Sequence, residues 1–280
     1  MKRLSNHFLL TCLFAFVFTL SKAQIGVHFG ATTAINATFV LDKGLTEDPR
    51  YDKPEMTYKM APIGFNFGLD IGKKFGLSLE SILSKQGQIY KIIDAAEKIK
   101  GQRKIDMSML QLPFLLRFMS GGNGGARANF NFGPQLSIIR DATESIQAQI
   151  GTYTLPEGMD FAAVQAEYGA ANVENNGNGT YNIVSNVPTK DVLSKKLDSF
   201  KNSEFAVAGS FGLDIDLSKH LYLTSQIRAT YSLTDMRNGD LIEQIKDGGN
   251  PFGNRANLVV GIQLGLHYSL GTTRSFKFKE

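Results

Sequence analysis

Cysteine is nearly missing from this chain. Its 280 residues include one, Cys12, and only four histidines. Cys12 falls inside a greasy N-terminal leader, so the chain left after leader removal has none. That excludes a disulfide framework and thiolate chemistry. Long apolar runs are lacking too. Beyond the leader no stretch reaches the ~18 consecutive apolar residues of a membrane-crossing helix, so a membrane-resident form of this chain has to be a barrel. Neither sign of charge prevails: Lys and Arg number 30, Asp and Glu 26. Loss of Lys2, Arg3 and Lys22 with the leader brings the two still closer, and no nucleic-acid surface is expected.

Catalytic motifs are missing as well. Gly121-Gly122-Asn123-Gly124-Gly125 is not followed by Lys-Ser/Thr, so it is a turn and not a phosphate loop. No Gly-x-Ser-x-Gly or His-Glu-x-x-His occurs. Asp214-x-Asp216 lacks the other ligands of a calcium loop. The expectation is a chain that is not an enzyme and needs no cofactor or metal.

The leader itself is informative. Met1-Lys2-Arg3 precedes an apolar stretch from Phe8 to Leu20, then Ser21-Lys22-Ala23 before Gln24. A basic start, a short apolar segment and a small-x-Ala site describe a secretory signal peptide over 1–23, cleaved after Ala23. The expected layout is a barrel over 24–271 followed by a short tail at 272–280.

Eight runs then alternate with a period of two, which is strand geometry. The last is the cleanest. Ala256, Leu258, Val260, Ile262, Leu264, Leu266, Tyr268 and Leu270 share one face; Asn257, Val259, Gly261, Gln263, Gly265, His267 and Ser269 share the other. The earlier runs fall at about 25–37, 59–72, 75–90, 104–119, 126–140, 203–217 and 220–235. The links after the second, fourth and sixth runs are a few residues each, and those after the first, third, fifth and seventh are longer. This sorting matches short periplasmic turns and long outer loops. The fold class predicted is all-β: an eight-stranded antiparallel up-and-down transmembrane β-barrel in the bacterial outer membrane, apolar face to lipid.

The longest link, about 141–202, is not featureless. A short helix is expected between Pro156 and Ala170. Helical spacing of Val192, Leu193, Leu197 and Phe200 suggests another over 189–202. Asn172 to Thr180 is Asn/Gly-rich and reads as a mobile connector. A loop of this length is either functional or disordered.

An eight-stranded barrel is just wide enough for its own side chains. By alternation Asp70, Glu80, Arg117, Arg127, Asp214, Asp216 and Arg228 point inward, and charges in so tight a space should pair across it. The expectation is a structural network that fills the lumen. His28 and His267 also face inward on the first and last strands, where the barrel closes, and form a candidate seam pair.

Several segments resemble PorT-type outer-membrane β-barrel proteins. These are Gln111-Leu112-Pro113-Phe114-Leu115-Leu116-Arg117, Phe132-Gly133-Pro134-Gln135, Gly212-Leu213-Asp214-Ile215, the stretch from Arg228 to Asp235, the closing Gly261–Leu270 strand, and the Ala23-Gln24 junction. The resemblance implies an eight-stranded outer-membrane barrel. The namesake is associated with protein secretion and maturation by the type IX system, which implies an accessory role and envelope or secretion-machinery partners beside the membrane lipid. The 141–202 insertion departs from the compact members. Taken together, the sequence suggests a binding or scaffold barrel; the alternatives are a small transporter or pore and a membrane-embedded lipid-modifying enzyme.

Overall fold

The computed structural model describes residues 25–42, 44, 51–120, 125–155, 158–185, 190–247 and 253–270, with backbone alone at 51–53 and 190. The expected signal peptide and C-terminal tail lie outside these residues. The strands are β1 (Ile25–Leu41), β2 (Tyr51–Glu55), β3 (Thr57–Ile71), β4 (Phe75–Ile93), β5 (Ile99–Met119), β6 (Ala126–Ala148), β7 (Gly151–Thr154), β8 (Val173–Gly177), β9 (Thr180–Ile183), β10 (Lys190–Ser194), β11 (Ser203–Asp216), β12 (Leu221–Ser232) and β13 (Ala256–Leu270). Among the described residues two α-helices join them, α1 (Phe161–Tyr168) and α2 (Gly239–Asp247).

Eight of these strands close on themselves. Antiparallel ladders run from β1 through β3, β4, β5, β6, β11 and β12 to β13. The final ladder, Val27↔Leu270 through Leu41↔Ala256, joins the last strand to the first. Closure satisfies every backbone group that would otherwise face lipid.

The barrel is inside out relative to a soluble one. Phe29, Phe67, Phe130, Phe211 and Ile262 are exposed, whereas Asn66, Glu80, Arg117, Asp214 and Gln263 are buried. That is the orientation expected from the last strand's alternation. Glycine makes room where lumen side chains are large. A Cβ at Gly68 would lie 2.2 Å from the His28 ring, and one at Gly30 would lie 2.4 Å from His267 Nδ1.

The three central strands are longer than the alternation indicated. β4, β5 and β6 have 19, 21 and 23 residues, against the ~9–11 that cross hydrocarbon. They rise beyond the membrane as a wall, and β2 and β10 pair with its two flanking strands, β4 and β6. The link after the third run is therefore only Asp94–Lys98, within the size range of the periplasmic turns and not a long outer loop. The expected helix over 189–202 is also corrected: Lys190–Ser194 is β10, and a single 3₁₀ turn at Lys195–Leu197 follows. Pairing with an open strand edge overrides helical spacing there.

The phase of the wall changes where it leaves the membrane. On β5, Leu110, Leu112, Phe114, Leu116 and Phe118 face outward, yet above them Ile105, Met107 and Met109 face inward. On β5 the apolar residues change rows without any change of backbone facing, whereas on β6 a bulge at Arg140 reverses the facing itself, since Ser108 pairs with Asp141 and Met109 with Ile139, and Ala142 and Glu144 then point inward. Below the switch lipid covers the apolar face, and above it the wall covers a core of its own.

Candidate functional site: the filled lumen and its outer mouth

Every charged residue expected in the lumen is buried there, and all seven pair. Arg117 bonds Asp214 and lies 3.7 Å from Asp70. Arg127 pairs with Asp216 at 3.1 Å, and Arg228 with Glu80 at 2.5 Å. Neutral groups complete the shell: Asn129 and Thr224 donate to Asp214 at 2.9 and 2.8 Å, and Asn66 donates to Ser78 at 2.6 Å. Gln226 donates to Gln263 at 2.6 Å. Buried charges persist when paired and hydrogen-bonded in this way.

The two seam histidines are neighbours, with ring centroids 6.0 Å apart. His28 is held between protein groups. Arg117 can only donate, so His28 Nε2 accepts from it at 3.1 Å, while His28 Nδ1 faces Asp70 at 3.5 Å. His267 stacks on Tyr222 with centroids 4.7 Å apart, and Tyr222 takes a further bond from Arg117 at 3.3 Å. Strands β1, β3, β5, β11, β12 and β13 thus meet in one layer near the periplasmic end.

Within the lumen the space that remains is small, whereas a cleft of about 460 Å³ lies at the outer end beside Val40, Asp42, Gln88 and Tyr90. One chamber of about 20 Å³ lies between Arg117 and Glu80, and a second of about 20 Å³ lies beside Arg228. Each holds roughly one water. Glu80, Arg228 and Gln263 stand at the boundary between them.

The outer mouth carries a second seal that alternation did not indicate. Val40, Tyr90, Ile92, Ile105, Met107, Met109, Ile139, Ala142, Phe200 and Met236 form an apolar core inside the wall. Phe200 and Met236 come from the links before β11 and after β12. They are held by a β-bridge between Phe200 and Arg237 and by Lys201 N donating to Met236 O at 2.9 Å. Around this core runs an ion network. Arg255 bonds Glu144 and donates to Asp42 at 2.9 Å; Arg103 bonds Glu144; Arg237 lies 2.7 Å from Asp235 and 3.4 Å from Asp42. Burial alone would raise the Glu144 carboxyl, but Arg255 and Arg103 hold it below the usual range. Burial opposes the same outcome at Asp235, where bonds from Arg237 and Arg255 prevail. The signal for this seal was the phase switch at Ile105, Met107 and Met109.

Beyond the mouth, the long insertion folds into a lobe. β7, β9 and β8 form a separate sheet whose core is Tyr153, Val164, Tyr168, Val173, Tyr181 and Ile183. Asp160 caps α1 by accepting from Ala163 N at 2.9 Å, so the helix expected between 156 and 170 is present. The Asn-rich segment is a hairpin and not a bare connector. Asn178 and Gly179 both have positive φ, 53° and 71°, the Asn-Gly signature of a two-residue turn. Asp94 docks the lobe on the wall by accepting from Thr154 N at 2.8 Å, and Lys98 reaches Thr152 O at the same distance.

A profile described as an outer membrane protein beta-barrel domain matches residues 20–238. The chain belongs to that family. Its place is the bacterial outer membrane, as the lipid-facing belt requires. Similar solved structures include OprG of Pseudomonas aeruginosa, at 12% identity over 89% of this chain and 96% of that one, TM-score 0.39. The Neisserial surface protein NspA is 8% identical over 85% and 95%, TM-score 0.38. Ail of Yersinia pestis is 8% identical over 87% and 98%, TM-score 0.35. No curated protein matches this outer-membrane barrel.

Proposed function

We propose that this outer-membrane barrel is a non-enzymatic binding or scaffold protein that presents its outer lobe to another envelope protein. One observation carries the reading. The lumen and the mouth are sealed independently, one by ion pairs and one by an apolar core, while the longest insertion builds a lobe with its own core. Chain length goes into a presented surface and not into a passage. The resemblance of the strands to PorT-type barrels favours a partner from protein secretion.

A photo-cross-linker at exposed Glu174 in the lobe of the full-length protein, in intact cells, tests this. The expected result is one discrete adduct with an envelope protein, absent when the cross-linker stands at lipid-facing Ile262. Discrete single-channel openings of the purified protein in a planar bilayer would favour a pore instead and overturn the scaffold reading.

A further inference from the structure

We propose that the outward face of the β4–β6 wall, just above the membrane belt, binds the phosphate groups of an outer-leaflet glycolipid. The belt ends on these strands at Leu83, Leu110 and Ile138. The next outward positions on β4 and β6 are Lys85 and Arg140, both exposed, and neither is ion-paired among the described residues. A step of two residues is about 6.6 Å along a strand, so both side chains start where lipid headgroups begin. At that level a long basic side chain can cover the belt with its apolar stem and keep its charge in the headgroup layer.

Two more lysines stand slightly higher. Lys59 reaches from β3 across β4 to Asp106 on β5 at 2.7 Å, and Lys104 bonds the other oxygen of Asp106 at 2.7 Å. One carboxylate thus positions two ammonium groups and leaves one positive charge over. Burial would raise the Asp106 carboxyl, but Lys104 and Lys59 hold it below the usual range, so it stays ionised and keeps both lysines in place. Counting exposed Asp141 beside Arg140, the patch has four cations and two anions.

Among the described residues, the outward row at the edge of the belt changes character around the barrel. At the outer ends of β1, β3 and β12 the exposed residues are Leu41, Met56, Tyr58, Met60 and Leu233. A general surface attraction would not need such asymmetry. Lys85 and Arg140 stand two strands apart, with Cα atoms roughly 10 Å from each other, a span that long basic side chains close around one phosphorylated headgroup. Arg supplies a fork for phosphate oxygens and Lys a point charge.

The test uses the full-length protein in phosphatidylcholine nanodiscs doped with phosphorylated or dephosphorylated lipid A, read by native mass spectrometry. Retention of the phosphorylated lipid alone is expected, weakened roughly thirtyfold in Lys85→Gln/Arg140→Gln at about fivefold for each basic side chain. Both residues are exposed, and a heat-dependent gel shift confirms that the variant is folded; Lys85→Gln alone, expected to lose about fivefold, serves if the double variant is not. Equal retention of the dephosphorylated lipid, unchanged affinity in a folded variant, or full competition by millimolar inorganic phosphate would each overturn the proposal.

Discussion

Arg228 on β12 and Glu80 on β4 meet across the lumen at 2.5 Å, although 148 residues separate them in the chain. The pair ties opposite walls of the barrel together at the boundary of its two water-sized chambers. Such a contact forms only after closure, so it reports on the assembled cylinder.

Removing one partner should therefore destabilise the barrel. Arg228→Ala strands the Glu80 carboxylate beside neutral amides, at a cost of about 3 kcal/mol. The exchange Glu80→Arg/Arg228→Glu should recover most of that loss. Urea titration of the folded, heat-shifting gel band measures both. Single variants within 0.5 kcal/mol of the parent, taken as an approximate error limit, would mean that the pair contributes nothing. Conductance should stay at zero in every case, because the Phe200–Met236 core still closes the mouth.

The lipid-facing assignment makes a sharper contrast between adjacent residues. Ile262 is 60% exposed and Gln263 is 2% exposed on the same strand. Arg at 262 near the midplane should cost about 2–4 kcal/mol in folding from urea into lipid vesicles. Gln263→Asn, which stays in the lumen, should cost no more than about 1–1.5 kcal/mol through its bonds to Arg228 and Gln226. Tolerance of Arg at 262 would contradict the facing.

How far the sequence already spoke differs between the two ends of the cylinder. Within the membrane a side chain has only two environments, lipid or lumen, so alternation assigned Asp70, Glu80, Arg117 and Asp214 to the inside and Phe67 and Ile262 to the outside. Pairing was implied by the cost of burying charge, but which cation meets which anion depends on how each strand is staggered against the next, and periodicity carries no such information. Above the membrane a third environment appears. Outward residues meet water, and inward apolar residues meet loops that arrive from far along the chain. Phe200 and Arg255 found their partners that way, and no local pattern names them. The Asn178-Gly179 turn was legible in principle, since that dipeptide specifies a hairpin, yet composition alone made the segment read as a connector.

The ion network at the mouth sets an acid limit. Glu144 and Asp235, both outside the membrane belt, are held below their ordinary values by arginines. A carboxyl held low in the folded state contributes stability that is complete above its unfolded value, about pH 4, and is lost as pH falls through the folded value. The contribution of these two carboxylates is therefore complete above about pH 4 and is lost below it, where the mouth should loosen. Hydrogen exchange of the segment around Phe200 and Met236 should rise there in the parent. In Glu144→Gln, exchange should already be raised at neutral pH and change less on acidification. Loosening of the parent at pH 6 would place the control in another group.

The lobe and the mouth should separate cleanly. Gly151 and Ile183 are ladder partners where the chain enters and leaves the lobe sheet, so their Cα atoms are about 5 Å apart and a Gly-Ser turn can replace residues 152–182. The lobe core shares no residue with the mouth core. The shortened chain should insert, shift on heating, and keep its urea midpoint within about 1 kcal/mol of the parent, while losing the lobe cross-link. Phe200→Ala lies only seventeen residues beyond the lobe sheet but fills the mouth at 2% exposure; it should cost about 3–5 kcal/mol. Cutting further, to remove β10 and Phe200 together with the lobe, would strip the β6 edge and open the apolar core in one step. Failure of the short deletion to insert would show that the lobe belongs to the barrel's own folding unit, and the separation of seal from presented surface would be lost with it.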